Sequence, residues 1–150
     1  MDFSYQEKSI LGSLVAVSVV YGFYFAGVVR DMGRPEFDGG NVERLAFTVV
    51  AIMAIEVVYH VILALESKAE AKDERDLLIE CKAYKNAYFL LAAGAFLVIG
   101  SVIMANLRYT VAPTRIIVTP FLTVNLVLFF MVLAEVVKFV TQLFYYRKGF

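Results

Sequence analysis

The chain has 150 residues, of which 61% are hydrophobic and only 19% are charged, with a mean hydropathy of +0.73 and a formal net charge of zero. A soluble domain is about 45–50% apolar and about 25% charged, so the composition excludes an ordinary soluble domain. The neutral charge balance, with no basic arm and no zinc-finger spacing, excludes a nucleic-acid-binding protein.

The apolar residues fall into four blocks, each long enough to cross a hydrocarbon core of about 30 Å. We therefore predict an all-α polytopic membrane protein, a single domain whose four transmembrane helices form two hairpins in the lipid bilayer. The predicted spans are Ser9–Val29, Leu45–Leu65, Tyr84–Asn106 and Pro120–Tyr146.

The first span follows a short polar lead and resembles a retained helix more than a signal peptide, which has a more basic start and a shorter apolar core. Small residues recur in it at four-residue spacing, a pattern that permits close helix packing and a homo-oligomer. The alternative is that small residues are simply common in membrane helices. The spaced residues are Gly12 and Ala16, then Ser18, Gly22 and Ala26.

A connector at Arg30–Arg44, broken by Arg-Pro and Gly-Gly, leads to the second span, which Asn41 can cap. This span contains Glu56 and His60, the only histidine of the chain. Four residues apart on a helix, they share one face, with Tyr59 beside them.

An ionisable residue inside a bilayer costs about 2.5–3.5 kcal/mol, so it normally faces a bundle interior or a wet cavity. A histidine beside a carboxylate can change its charge near neutral pH. We therefore predict an intramembrane polar site at Glu56, Tyr59 and His60. The alternative is a hydrogen bond that only fixes helix packing.

Ser67–Lys85 is the longest polar stretch, and its residues are good helix formers. We predict a cytosolic helical segment that continues the third span after a tight turn near Ser67–Lys72. Its Asp73, Glu74, Arg75 and Asp76 are candidate residues for binding a cytosolic protein partner; the alternative is a solvated charged face.

The run from Asp73 to Tyr88, with Asp-Glu-Arg-Asp at its start and Lys82 and Lys85 within it, resembles a family of small bacterial and archaeal four-span membrane proteins of unknown function (DUF2178-like). That family carries an Asp-Glu-Arg-(Asp/Glu) motif ahead of its third helix. The resemblance implies a four-span fold and no particular activity. Some members lie beside small helix-turn-helix regulators, which implies a signalling role by analogy.

Thr119-Pro120 is a favourable helix start, since threonine can cap a helix and proline suits its first position. Pro113–Val118 is then an extended or interfacial segment. A competing interpretation starts the fourth helix near Pro113 and kinks it at Pro120.

The two halves of the chain show a possible internal duplication. Gly22 and Arg30 match Gly100 and Arg108, and Glu56-Val57-Val58 matches Glu135-Val136-Val137 at nearly the same offset. Two such hairpins would be parallel repeats about an axis along the membrane normal. The duplication adds Glu135 and Lys138, three residues apart on one helix face, to the predicted polar site. Asn125 and Gln142 lie near that stripe, and Lys138 could instead extend to the inner interface.

Basic residues in the short loops predict the orientation. Eight basic residues lie on the side of the termini and five on the other side. We therefore predict that both termini are cytoplasmic and that the protein lies in the inner (plasma) membrane. The eight are Lys8, Lys68, Lys72, Arg75, Lys82, Lys85, Arg147 and Lys148; the five are Arg30, Arg34, Arg44, Arg108 and Arg115.

No phosphate-binding loop, nucleophile elbow or zinc-protease motif occurs, so we predict no catalytic residue, no cofactor and no metal site. Cys81 is alone, which excludes an internal disulfide.

Two candidate functions remain. The first is a non-enzymatic signalling or interaction module. The second is a small oligomeric transporter or channel subunit with a proton- or ion-coupled site at Glu56, His60, Glu135 and Lys138.

Overall fold

The computed structural model describes residues 4–31, 41–66, 73–111 and 120–148, and all four segments are helical. The helices are α1 (Tyr5–Asp31), α2 (Asn41–Glu66), α3 (Glu74–Val111) and α4 (Pro120–Lys148). Each is long and apolar enough to cross a membrane. The predicted all-α fold with four potential spans is confirmed at this level. The predicted turn near Ser67–Lys72 and the predicted segment Pro113–Val118 lie outside the described residues.

Helix α1 begins with a local cap that explains where it starts. Ser4 Oγ accepts a hydrogen bond from the Glu7 amide at 3.2 Å, while the Glu7 carboxylate accepts one from the Ser4 amide at 3.0 Å. This reciprocal capping box satisfies two amides that the first helical turn leaves without partners. Helix α1 therefore begins inside the stretch that we interpreted as a polar lead.

The helices pack as an open row in the order α2, α1, α4, α3. Within the described parts of the chain, the backbones of α2 and α3 do not approach each other, and a cleft lies between these two helices. Apolar side chains such as Phe23, Phe47 and Phe96 point away from the bundle and are about three-quarters exposed, at 78%, 74% and 76%. These faces suit lipid, which is as apolar as the side chains themselves.

Helix α1 lies between α2 and α4 and is fixed to both by polar contacts. The Tyr24 hydroxyl donates to Asn125 Oδ1 of α4 at 2.7 Å, in a buried position. Asn125 Nδ2 donates in turn to the Phe121 carbonyl at 2.9 Å, so both ends of its amide are engaged. At the far end of α1 and the start of α2, Arg44 and Asp31 form an ion pair at 3.1 Å.

Candidate functional site

The predicted polar pair on α2 is joined by a residue of α1. The Ser13 hydroxyl, only 4% exposed, donates to Glu56 Oε2 at 2.8 Å. His60 Nε2 lies 3.2 Å from the same carboxylate oxygen and 3.2 Å from Ser13 Oγ. A carboxylate, a hydroxyl and an imidazole thus meet around one oxygen at the α1–α2 interface. Ser13 was not among the predicted site residues.

The other carboxylate oxygen of Glu56 has different surroundings. Glu56 Oε1 is buried and accepts no hydrogen bond from the described residues. Such an acceptor costs roughly 1–3 kcal/mol when it is left unsatisfied, and more when it carries charge. This oxygen is therefore a position where a hydrogen-bond donor would be stabilised.

Tyr59 also contacts α1, at residues other than Ser13. Its hydroxyl donates to the Lys8 carbonyl at 2.6 Å, and its ring occupies the space that a Cβ at Gly12 would need. The ring also meets the His60 ring edge to face, with centroids 5.4 Å apart. Tyr59 thus packs between α1 and α2, in contact with His60.

The predicted pair on α4 forms an ion pair, with Lys138 Nζ bonded to Glu135 Oε2. The Lys138 side chain is only 13% exposed, and its ammonium lies 4.4 Å from the Phe139 ring centroid and 5.5 Å from that of Tyr84. Aromatic faces attract cations at such distances. The ammonium is held inside the bundle by a carboxylate and two rings.

A cavity of 340 Å³, here called the polar chamber, brings these groups together. It lies at the end of the bundle where α1 and α3 begin and α2 and α4 end. All four helices contribute polar side chains to its wall, among them Ser13, Glu56, His60, Asp76, Lys138 and Gln142.

The Asp-Glu-Arg-Asp segment both caps α3 and contributes to this chamber. Asp73 Oδ1 accepts from the Asp76 amide at 2.7 Å, and Asp76 Oδ2 accepts from the Asp73 amide at 3.2 Å. The other oxygen of Asp76 accepts from the Tyr146 hydroxyl at 2.8 Å, and Arg75 donates to the Tyr146 carbonyl at 3.5 Å. Asp73, Glu74 and Arg75 are exposed, whereas Asp76 is half-buried against α4.

A second cavity of 590 Å³, here called the apolar cleft, lies between α2 and α3. Its wall is mostly apolar and includes Tyr21, Ile52, Leu91 and Leu128, one from each helix. Glu56 and Glu135 also line it. The predicted duplication stays a prediction. Glu56, Tyr84 and Phe139 line both cavities, so the chamber and the cleft meet at these three side chains.

Gln142 and Glu80 add to the chamber without having been predicted as site residues. Gln142 is 8% exposed, and its Oε1 accepts no hydrogen bond from the described residues. Glu56 and Gln142 both line the chamber, and each has one buried side-chain oxygen without a partner among the described residues. Glu80 contributes a further carboxylate to the chamber wall. Within the described ranges, no cluster of three or more His, Cys, Asp and Glu side chains is arranged to hold a metal ion.

The fold and this site define a class, that of multi-pass membrane proteins built as a helix bundle. Comparison of the chain with family models, with curated protein sequences and with solved structures gives no match. The resemblance carried by Asp73–Tyr88 therefore stays a prediction.

Proposed function

We propose that this protein is a non-enzymatic signalling module that binds a ligand in the polar chamber and transmits its presence to the start of α3. One observation supports this proposal above all others: Glu56 and His60 of α2 and Asp76 of the Asp-Glu-Arg-Asp segment line the same cavity. A ligand that changes the charge or hydrogen bonding in the chamber acts on Asp76 directly.

Helix lengths and loop charges support the orientation. Helix α3 has 38 residues. At 1.5 Å per residue it is about 57 Å long, well beyond a hydrocarbon core of about 30 Å. The charged residues of Glu74–Lys85 support a position outside the core for its first turns. The excess of basic residues at that end favours the cytoplasm for it and for both termini. In this proposed orientation, α1–α2 and α3–α4 are two hairpins inserted in the same direction.

The exposed part of the segment is the proposed surface for a cytosolic protein partner. Asp73, Glu74 and Arg75 face outward, while Asp76 faces the chamber and accepts the Tyr146 hydroxyl. Since Asp73 and Asp76 cap each other, a shift of Asp76 would also loosen the helix start that presents Glu74 and Arg75. Ligand binding and partner binding are coupled through this cap.

Hydrogen–deuterium exchange in lipid nanodiscs tests the coupling without any ligand. Glu56, Asp76 and Glu80 are like charges on one cavity wall, so Glu56→Gln relieves repulsion on Asp76. We expect the amides of residues 74–80 to exchange roughly two- to fivefold more slowly, as repulsion of about 0.5–1 kcal/mol would give.

Glu43→Gln is the matched control, because it removes an exposed carboxylate at the opposite end of the same helix. Its exchange at residues 74–80 should equal that of the wild type. Equal exchange in the wild type and in Glu56→Gln would contradict the proposed coupling.

A second candidate is a small oligomeric transporter or channel subunit with a proton- or ion-coupled site. The observation that favours it is that Glu56 lines both cavities and Glu135 lines the apolar cleft, so Glu56 stands where the two cavities adjoin. Proteoliposomes loaded with a pH-sensitive dye and exposed to a pH jump test it. Proton flux should disappear in Glu56→Gln and persist in Glu43→Gln. Equal flux in both variants would exclude a transport role for Glu56.

A further inference from the structure

A further cavity of 540 Å³, here called the basic groove, lies between α1 and α4. It shares no lining residue with the polar chamber or the apolar cleft. Phe144 lines the groove and Gln142 lines the chamber, and residues two apart on a helix point to nearly opposite sides of it. The groove is therefore a separate site. Its lining residues are Leu11, Val140, Leu143, Phe144, Arg147 and Lys148.

The groove has an apolar part and a basic end. Leu11, Val140 and Phe144 are exposed apolar side chains of the apolar part. Arg147 and Lys148 belong to the last turn of α4, and Lys148 Nζ lies 5.4 Å from the centroid of the Phe144 ring. At 1.5 Å per residue, Val140 is about 12 Å from Lys148 along the helix. The apolar part therefore lies deeper in the apolar span than the cations do.

The basic end of the groove carries positive charge. Among the described residues that line it, none has a carboxylate. Glu7, one turn before Leu11 on α1, binds the Ser4 amide and does not line the groove. Arg147 has a further interaction in the protein, so the charge assigned to the groove is that of Lys148 alone. The dipoles of α1, which begins here, and of α4, which ends here, oppose each other and leave the side chain to decide the sign.

An anionic phospholipid matches both parts of the groove. Its acyl chains are apolar, its phosphate is negative, and the boundary between them lies where a membrane helix passes from apolar to basic residues. Basic pockets between transmembrane helices bind anionic head groups in this way. A zwitterionic lipid has the same chains, but its own cation offsets the attraction of its phosphate to Lys148.

A second copy of this chain matches the groove less well. Copies that insert in the same direction have their basic ends at the same depth. A two-fold contact through the groove uses the same surface on both copies. It would bring Lys148 of one copy close to Lys148 of the other, and like charges repel. The charge of the groove thus favours an anion over a copy of the same surface.

We propose that the basic groove binds an anionic phospholipid, with one acyl chain against Leu11, Val140 and Phe144 and the phosphate beside Lys148. This site goes beyond the proposed function, since it shares no lining residue with the chamber. It requires only that α1 and α4 cross the membrane.

Tryptophan quenching by brominated lipid tests the groove directly. The chain contains no tryptophan, so a single introduced one reports on its own surroundings. Phe144→Trp places the reporter in the groove. Ile62→Trp is the matched control, because each residue lies four positions before the end of its helix and the two are 55% and 48% exposed. Vesicles contain phosphatidylcholine and phosphatidylglycerol, and either lipid in turn carries bromine near the head-group end of one chain.

Exchanging which lipid is brominated gives the relative affinity of each reporter site for the two lipids. The preference for phosphatidylglycerol should be about fivefold greater at Phe144→Trp than at Ile62→Trp, as for one basic residue acting on an anionic lipid. The comparison cancels the general attraction of anionic lipid to this end of the bundle. An equal preference at the two reporters would overturn the proposal.

Variants in the Phe144→Trp background locate the phosphate. Lys148→Gln should remove the fivefold excess, whereas Arg30→Gln, which removes an exposed cation at the opposite end of α1, should leave it unchanged. An undiminished excess in Lys148→Gln would contradict the placement of the phosphate. Should Phe144→Trp fail to fold, as judged by circular dichroism, Leu11→Trp reports on the same groove from α1.

Two further outcomes would assign the groove to another occupant. Glycerol phosphate has the phosphate without the chains and should not relieve the quenching; relief would assign the groove to a free phosphate. Quenching of Ile62→Trp with none at Phe144→Trp, by either brominated lipid, would show that protein covers the groove, as a second copy would. Either result would overturn the proposal. None of these variants changes a chamber residue, so the proposed function is judged separately by the exchange experiment on α3.

Discussion

Ser13→Ala removes the hydroxyl that joins α1 to the Glu56 carboxylate at 2.8 Å. Alanine fits the same space, so the substitution leaves no large cavity and removes only the hydroxyl, with its contacts to Glu56 and to His60. A bond to a charged group contributes about 1.5–3 kcal/mol in soluble proteins, while polar contacts between membrane helices contribute about 0.6 kcal/mol on average and at most about 1.7. Ser13 is 4% exposed and its partner carries charge, so we expect a loss near the upper membrane value, about 1–2 kcal/mol.

Unfolding from bicelles with increasing dodecyl sulfate, followed by far-ultraviolet circular dichroism, measures this loss. Ser101→Ala is the matched control, because the Ser101 hydroxyl donates only to the Val98 carbonyl of its own helix, at 2.7 Å. It should cost less than about 0.5 kcal/mol.

A double-mutant cycle with Glu56→Gln measures how much the charge of Glu56 strengthens this contact. We expect the two substitutions to be non-additive by about 1 kcal/mol, because Ser13→Ala removes the donor and Glu56→Gln removes the charge of its acceptor. Full additivity, or an equal cost for Ser13→Ala and Ser101→Ala, would refute the assignment of this bond as the main polar link between α1 and α2.

Two further substitutions test contacts elsewhere in the bundle. Gly12→Ala should destabilise the protein by about 1–3 kcal/mol in the same unfolding assay, because its Cβ would meet the Tyr59 ring. Gly22→Ala, whose Cβ would meet nothing within 4 Å, should be neutral or slightly stabilising; equal effects would contradict the close α1–α2 approach at Gly12. Asp73→Ala should speed amide exchange in the first turn of α3 by roughly five- to tenfold, as expected for a cap that contributes about 1 kcal/mol, whereas Glu74→Ala should leave it unchanged. Equal exchange in both variants would remove Asp73 from the cap.

The sequence was sufficient for the helices and for the residues that pair along one helix. Hydropathy identified four spans, and the spacing of Glu56 and His60, like that of Glu135 and Lys138, places each pair within bonding distance. The capping box at Ser4 and Glu7 is also indicated by the pattern Ser-x-x-Glu, although our interpretation of that stretch is a polar lead.

Contacts between helices were not predictable in the same way. Ser13 is one of several small polar residues in an apolar span, and nothing in its own helix indicates that it faces Glu56, 43 positions later. Asp76 stands in a run of charges, and only the packing of α3 on α4 directs it to Tyr146 rather than to solvent. A single sequence specifies periodicity within a helix, whereas the rotation of one helix against another depends on all of their side chains together.

Among the four described helices, α2 packs its backbone against α1 and against no other helix. The link is distributed along the helix, at Tyr59 and Lys8, at Glu56 and Ser13, and at Arg44 and Asp31. The first two helices can therefore leave the biosynthetic machinery as a finished pair, before α3 and α4 have been made. If the chain is divided into fragments 1–66 and 73–150, the described helices of the two fragments pack together at the α1–α4 interface, where the Tyr24 hydroxyl donates to Asn125. The degree to which the two fragments reassemble in a living cell would thus report directly on the α1–α4 interface.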